Sequence, residues 1–518
     1  MVLISIGLVS DIFRLSSAKR LVFMKNAYRE LEQRFRRVNL LRQAVGLLQW
    51  DQSVTMPPGG ANARGAQLAE LKVIVHEIVT DRRTEDLLLD VDISRLGKWQ
   101  AANVREIRHA WSHAKAVPKD LIAARSKACT ACEANWRTAR ASADFKIVLP
   151  DFKDVVGLTR EVAEAKASAL NVSAYDSLFC QYAPGMSIDE VDPIFDDYLS
   201  FLPNFLERVL AHQGSVPPPR DLKGPFELEE QRQVARRLAE VVGLDFGSAR
   251  LDESEHPFSG GVPGDSRITT RYSKADFSEA MMAVLHETGH AMYERGRPPE
   301  WHEQPVGCSR GMVIHESQSL IVEMQACRSR EFFEWAAPMF ADAFGGIGPA
   351  WGADEFYKRA TAVRPSLIRI DADEVTYPAH IILRTQLERA LLAKDLLPVD
   401  LPGAWNEKIR QLLDVSPSND AEGCLQDIHW YDGAWGYFPT YTLGAMAAAQ
   451  IFKAAIGENR KILHSIANGD FKPLMTWLLS NIHKHGCLFS AQELLTRATG
   501  RKLDPDAFKL HLHERYLS

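Results

Sequence analysis

From Met24 onward apolar positions recur every three or four residues. Tyr28, Leu31, Phe35, Val38, Leu41, Val45 and Leu48 follow these steps and predict an amphipathic helix ending near Trp50 and Asp51. Met56-Pro57-Pro58-Gly59-Gly60 then marks a turn. The same period predicts helices over 66–80 and over roughly 98–143. The second is rich in Ala, Arg and Lys and reads as a long exposed helical arm. Proline-rich breaks fall at 216–219 and 297–305. Only Arg267 to Tyr272 alternates with a period of two between Gly- and Pro-rich flanks, and it is read as a strand. The expected fold is mostly α, with a small β-sheet beside the helix that runs from Phe277 to Arg295.

Size and charge narrow the classes. The chain has 518 residues, 46% hydrophobic and 25% charged, enough for a large core. A net charge of −6 shows no basic excess for a nucleic-acid partner. Seven cysteines are scattered at 129, 132, 180, 308, 327, 424 and 487. An odd, sparse set reads as reduced thiols in a cytoplasmic protein. Cys129 and Cys132 form one CxxC in a helical stretch without a second pair, which reads as buried, neutral thiols. The apolar run Val2 to Val9 is too short to span a membrane and lacks the basic start of a secretory signal. Residues 1–23 are expected to be a weakly ordered extension and 24–518 a single folded domain. No other segment approaches a membrane span.

The chemistry is concentrated in His286-Glu287-Thr288-Gly289-His290. Two histidines four apart stack one turn above each other on a helix, so both imidazoles point the same way. The glutamate between them lies about 100° round the helix, where it can take a proton from a metal-bound water. Phe277, Met281, Val284 and Ala291 form an apolar stripe opposite His286, which places the histidines on a cleft or a solvent face. Ser273 with Asp276 resembles a capping box, and Gly296 is the expected stop. Those residue types at that spacing describe a metal-assisted hydrolase. A third ligand is required. The metzincin pattern would need Gly at 293 and His at 296, where the chain has Tyr293 and Gly296. Glu316 and His315, on a following helix, both remain open on spacing alone. The strand offers an edge on which a peptide backbone could pair, or simply braces the helix.

Six segments coincide in order: His256-Pro257-Phe258, Asp265 to Thr269, the HETGH run, His315-Glu316-Ser317-Gln318, Ile368 to Asp373, and Gly423 to Trp430. With Leu48 to Asp51, Met56-Pro57 and Gln67 to Ala69, they resemble the carboxypeptidase Taq family of metallocarboxypeptidases over residues 24–518. The resemblance implies a large helical peptidase domain with a deep groove, similar in architecture to neurolysin and angiotensin-converting enzyme. It implies zinc, with cobalt as a substitute, held by His286, His290 and Glu316. It also implies removal of single residues from peptide C-termini with broad preference, and a homodimer. The stretch Leu320 to Ala326 is less polar than the family leads one to expect, which leaves the ligands intact and the groove wall altered.

Roles follow for the remaining candidates. Glu287 is the expected general base and acid. The Gly-rich segment His429 to Tyr441 suits oxyanion donors, and the resemblance to the neurolysin-like architecture implies His429 and Tyr441, with Tyr437 the rival. A terminal carboxylate calls for a bidentate cation, and Arg267 and Arg369 are the candidates. Each is alternatively a structural ion-pair partner, Arg369 for instance with Asp371 or Asp373. His256 is a candidate support for the site or its substrate. An endopeptidase using the same metal residues and a catalytically inert helical scaffold are the competing readings.

Overall fold

The computed structural model describes the backbone of residues 17–517 and the side chains of 27–517. Residues 1–16, which carry most of the expected extension, lie outside the described residues. Contacts group the chain into two compact units. One comprises the chain up to Lys115 with Arg297–Cys308 and His485–Leu488. The other comprises Ala116–Gly296, Ser309–Lys484 and the chain from Phe489 onward.

The first unit is built on α1 (Ser17–Val54), α2 (Ala61–Thr80), α3 (Arg82–Asp90) and α4 (Lys98–Lys115). Tyr28, Leu31, Phe35 and Val38 are buried against Val79, Leu87, Val104 and Ile107. Leu41, Val45 and Leu48 continue the stripe but are only half-buried. Asp81 starts α3 by accepting the Arg83 N–H at 2.6 Å, which satisfies one orphan donor of the first turn. Asn103, fully buried in α4, donates to Gln304 at 2.9 Å and accepts the Val306 N–H at 3.2 Å.

The stretch 98–143 is two helices, not one arm. Pro118 lacks an N–H and disfavours helical geometry at Val117, so α4 ends and α5 (Lys119–Ser142) begins anew. Nor is α5 exposed all round, because Cys129, Cys132, Trp136 and Ala139 are buried and α5 packs on α6 (Leu149–Leu170). Burial pushes both thiols up, so they stay neutral.

The second unit continues with α7 (Ala174–Phe179), α8 (Ile188–Gly214) and α9 (Leu228–Val242). A sheet of β1 (Ala249–Glu253), β2 (Ser259–Val262) and β3 (Asp265–Thr270) follows, in the order β1-β3-β2. Here β3 is central, parallel to β1 with Arg250 opposite Arg267, and antiparallel to β2 with Gly260 opposite Arg267. Both its edges are therefore taken, and the peptide-pairing edge expected of this strand is not available. Thr269 accepts the Phe258 N–H at 2.9 Å, which ties the His256–Phe258 turn to β3.

After the sheet come α10 (Ser278–Gly296) and α11 (Gly311–Leu320). A π-turn (Ile321–Ala326) leads to α12 (Arg330–Phe344) and α13 (Ala353–Ala360). The helical remainder is α14 (Tyr377–Ala393), α15 (Leu401–Leu413), α16 (His429–Asp432), α17 (Pro439–Glu458), α18 (Lys461–Ile466), α19 (Lys472–Asn481), α20 (Ala491–Thr499) and α21 (Asp506–Tyr516). Among the described residues no helix is long and apolar enough to cross a membrane.

The start of α10 differs from the expected capping box. Asp276 accepts the Ser278 N–H at 2.7 Å, while the Ser273 hydroxyl accepts the Ala275 N–H. The helix ends at Gly296 as expected. It has no solvent face at its centre, however: Val284, Leu285, Glu287, Thr288, His290 and Ala291 are all buried. β3 covers one side, and Thr270 donates to the Ala280 carbonyl at 3.2 Å. α9 and α11 pack on it as well.

Candidate metal centre

His286 and His290 project from α10, and Glu316 comes from α11. Their ligand atoms lie within 4.8 Å of one another, a possible three-residue metal site. Two glycines let the helices approach this closely. A Cβ on Gly289 of α10 would stand 2.6 Å from the Gln318 carbonyl oxygen and 2.6 Å from Ser319 Cα. A Cβ on Gly444 of α17 would stand 2.7 Å from Glu316 Cβ on the other side. Any larger residue at either position drives a helix away from the one that carries Glu316.

The second nitrogen of each ring is fixed. His286 Nδ1 lies 3.0 Å from Glu323 Oε2, and His290 Nδ1 lies 3.1 Å from the His315 carbonyl. Both Nε2 atoms are thereby aimed inward, and His290 Nε2 stands 3.7 Å from Glu316 Oε2. His315 itself turns its Nε2 to Glu294, at 3.1 Å.

The electrostatics suit a divalent cation. Burial disfavours the cationic form of His286, yet Glu323, Glu316 and Glu287 outweigh it and raise its pKa to about 10. Burial, reinforced by His315 and His286, holds His290 well below its usual range, so its ring is a neutral donor of electrons. Two imidazoles and a carboxylate form a borderline-soft donor set of the kind that holds zinc with one position open. The residues present therefore fit a metal. Glu287 is 7% exposed. Burial lifts its pKa to about 7, with Glu316 adding to the rise and His286 opposing it. A raised pKa suits a group that must both accept and return a proton.

A second cluster packs near Glu316. His429 Nε2 lies 3.1 Å from the Tyr441 hydroxyl. Burial, with Arg369 and Arg384 adding and Asp427 opposing, lowers the His429 pKa to about 4. Its Nδ1 has no hydrogen-bond partner among the described residues. Tyr441 is held protonated, chiefly by burial, and stays a donor. Tyr437 packs edge-on to both Tyr182 and Tyr441. The Arg369 guanidinium sits 5.2 Å from the Tyr441 ring centroid. It donates from Nε (3.0 Å) and Nη2 (2.7 Å) to Asp427 Oδ1, and from Nη1 to the Tyr377 hydroxyl at 3.0 Å. Three of its five N–H donors are thus used. Its ion-pair partner is Asp427, not Asp371 or Asp373.

Arg267 stands elsewhere, in β3, where it pairs with Asp265 at 2.6 Å. His256 is exposed in the turn between β1 and β2. The positions behind the metal-ligand histidines are filled by Glu323 and the His315 carbonyl.

The family model for the carboxypeptidase Taq (M32) metallopeptidases matches residues 30–516. The chain belongs to the carboxypeptidase Taq family. Thermostable carboxypeptidase 1 of Thermus thermophilus is 38% identical over 502 residues, covering 95% of this chain and 98% of that one. Thermostable carboxypeptidase 1 of Pyrococcus furiosus is 32% identical, covering 96% and 99%. Metallocarboxypeptidase 1 of Trypanosoma cruzi superposes with a TM-score of 0.93 at 37% identity, over 95% of this chain and all of that one. The chain is accordingly a metallocarboxypeptidase with a metal cofactor, and it shares that family's fold.

Residues unassigned from sequence support this centre. Glu323 lay in the stretch noted for its low polarity. Its i+7 spacing from Glu316 is helical, but a π-turn intervenes, which simple periodicity does not anticipate. Its other oxygen takes the Arg328 Nη2 at 2.7 Å. Burial disfavours the Glu323 carboxylate, yet Arg328 and His286 hold its pKa at about 2. Removing such a partner from a ligating histidine weakens metal binding about 10–100-fold. Glu323→Ala is expected to show that loss in a competitive metal titration, and Glu323→Gln to recover most of it. Unchanged affinity in the alanine variant would show that Glu323 does not orient His286.

Asp427 is the other unassigned residue. It joins Arg369 to the fully buried Arg384, whose Nε lies 2.6 Å from Oδ2. Sequence marked the motifs that contain Asp427 and Arg369 but neither Arg384 nor the pairing, which spans 43 and 58 residues.

Proposed function

We propose that the protein binds one zinc ion through His286, His290 and Glu316 and releases single residues from peptide C-termini, with cobalt an effective substitute. The observation that carries this reading is the meeting of that donor set with a buried Glu287 beside it. Zinc so held supplies a Lewis acid that polarises the scissile carbonyl and lowers the pKa of nearby water to about 7.

The chain's own residues do the rest. Glu287 takes the proton of the attacking water and delivers it to the leaving amine. The Tyr441 hydroxyl, oriented by neutral His429, donates to the developing oxyanion, and Tyr437 is the second candidate. Arg369 reads the terminal carboxylate with the N–H groups that Asp427 and Tyr377 leave over. Asp427 and Arg384 hold that guanidinium in place. Arg267, closed on Asp265, is supported less well in this role. Recognition through the carboxylate leaves the upstream sequence unread, so specificity is broad there.

Arg369→Lys keeps the charge but loses the planar fork. It is expected to reduce kcat/KM on free-acid peptides about 10–100-fold and to narrow their advantage over amidated ones. Full retention of that advantage would move the carboxylate to another cation. Chelation should abolish activity, and one equivalent of zinc or cobalt per chain should restore it.

A further inference from the structure

A cavity of about 170 Å³ opens beside the metal residues, with His286 and Glu316 in its lining. That is below the ~300 Å³ at which drug-sized sites begin, so it suits one side chain and not a run of residues. About half of its wall is apolar, including Leu320, Met324, Ile370, Ala372, Pro378 and Phe508, and the rest is polar or charged. Ile370 is 68% exposed, and Leu320 and Met324 are half-buried. Tyr377 also lines it, and the same hydroxyl accepts from Arg369. The cavity thus adjoins the cation that reads the terminal carboxylate.

Two acids other than Glu316 line the cavity, and both are used internally. Glu323 Oε1 holds Arg328 at 2.7 Å and Oε2 holds His286 at 3.0 Å. Glu374 Oε1 holds His511 at 2.9 Å, and Oε2 holds Arg515 at 2.9 Å and the Tyr516 hydroxyl at 3.1 Å. Glu316 is committed to the metal. A lysine or arginine side chain entering here would lose its hydration and meet only carboxylates that already hold partners. It would also meet Arg328, which lines the same cavity and whose Nε has no hydrogen-bond partner among the described residues.

We propose that this cavity takes the side chain of the substrate's C-terminal residue and selects large apolar ones, such as Leu, Met and Phe, over Lys and Arg. The assignment rests on Arg369 as the carboxylate reader. Leu320, Met324 and Ile370 are then specificity-determining residues, and the segment of low polarity around the π-turn has a function.

The test uses N-acylated dipeptides in two series, one varying only the terminal residue and one only the penultimate. With the metal-loaded full chain, kcat/KM for terminal Leu or Phe is expected to exceed that for Lys or Arg about tenfold or more. Ile370→Glu places a free carboxylate at an exposed position that tolerates charge, and Met324→Glu places one deeper. Either is expected to raise terminal Lys relative to Leu about tenfold while leaving the penultimate series unmoved. Equal or better turnover of terminal Lys by the unmodified chain overturns the proposal. So does a response of the penultimate series in place of the terminal one. If the carboxylate reading is wrong instead, free-acid and amidated peptides are cut alike, an outcome separate from any ratio among terminal residues.

Discussion

Glu287→Gln is expected to lower kcat about 10²–10⁴-fold while leaving metal content at one ion per chain. The substitution preserves shape and removes only the capacity to take and return a proton. Glu287 itself is not among the three ligands, so the donor set of His286, His290 and Glu316 stays complete. Burial raises the pKa of the carboxyl and so strengthens it as a base. Kinetics on one N-acylated peptide, with metal analysis of the same sample, read both quantities. Turnover within a factor of a few of the unmodified chain would sink the proton-shuttle role. Loss of metal along with activity would mean that Glu287 is a ligand.

Gly289→Ala is expected to destabilise the protein by about 1–3 kcal/mol and to weaken metal binding at least about tenfold. Helix propensity argues the other way, since Ala is favoured over Gly in a helix interior by about 1 kcal/mol. Packing decides the sign here. The added methyl would meet backbone atoms of Gln318 and Ser319 at 2.6 Å, and backbone cannot rotate aside. α10 and α11 must then separate, which parts the two histidines from Glu316. Gly46→Ala is the matched control. Gly46 lies within α1, where an added Cβ meets nothing within 4 Å, so stability should rise. Chemical denaturation of both variants, with a metal titration of the first, tests the argument. A stabilised Gly289→Ala with unchanged affinity would show that the close helix approach does not build the site.

What could be read in the sequence follows from range. Residues within one helical turn declare themselves, and so His286, Glu287 and His290 were legible from spacing. Glu316 was not, because the choice between it and His315 depends on which face of α11 meets α10, and Gly289 and Gly444 settle that contact. The stripe from Tyr28 to Val38 located α1. The break at Pro118 was present in the sequence but was outweighed by the helical composition on both sides. The stripe on α10 suggested an amphipathic helix. In the fold β3, α9 and α11 pack on it, and His286 faces the cavity beside Glu316. The pairings Arg369–Asp427–Arg384 and Glu323–Arg328 join residues whose partners no local pattern names.

The most direct test is mass spectrometry of two digests by the zinc-loaded chain, on one N-acetylated peptide with its C-terminus either free or amidated. The account predicts a ladder of single-residue losses from the free form and an intact amidated form. Internal fragments from both would contradict it, and would release Arg369 from the role that places it beside the metal.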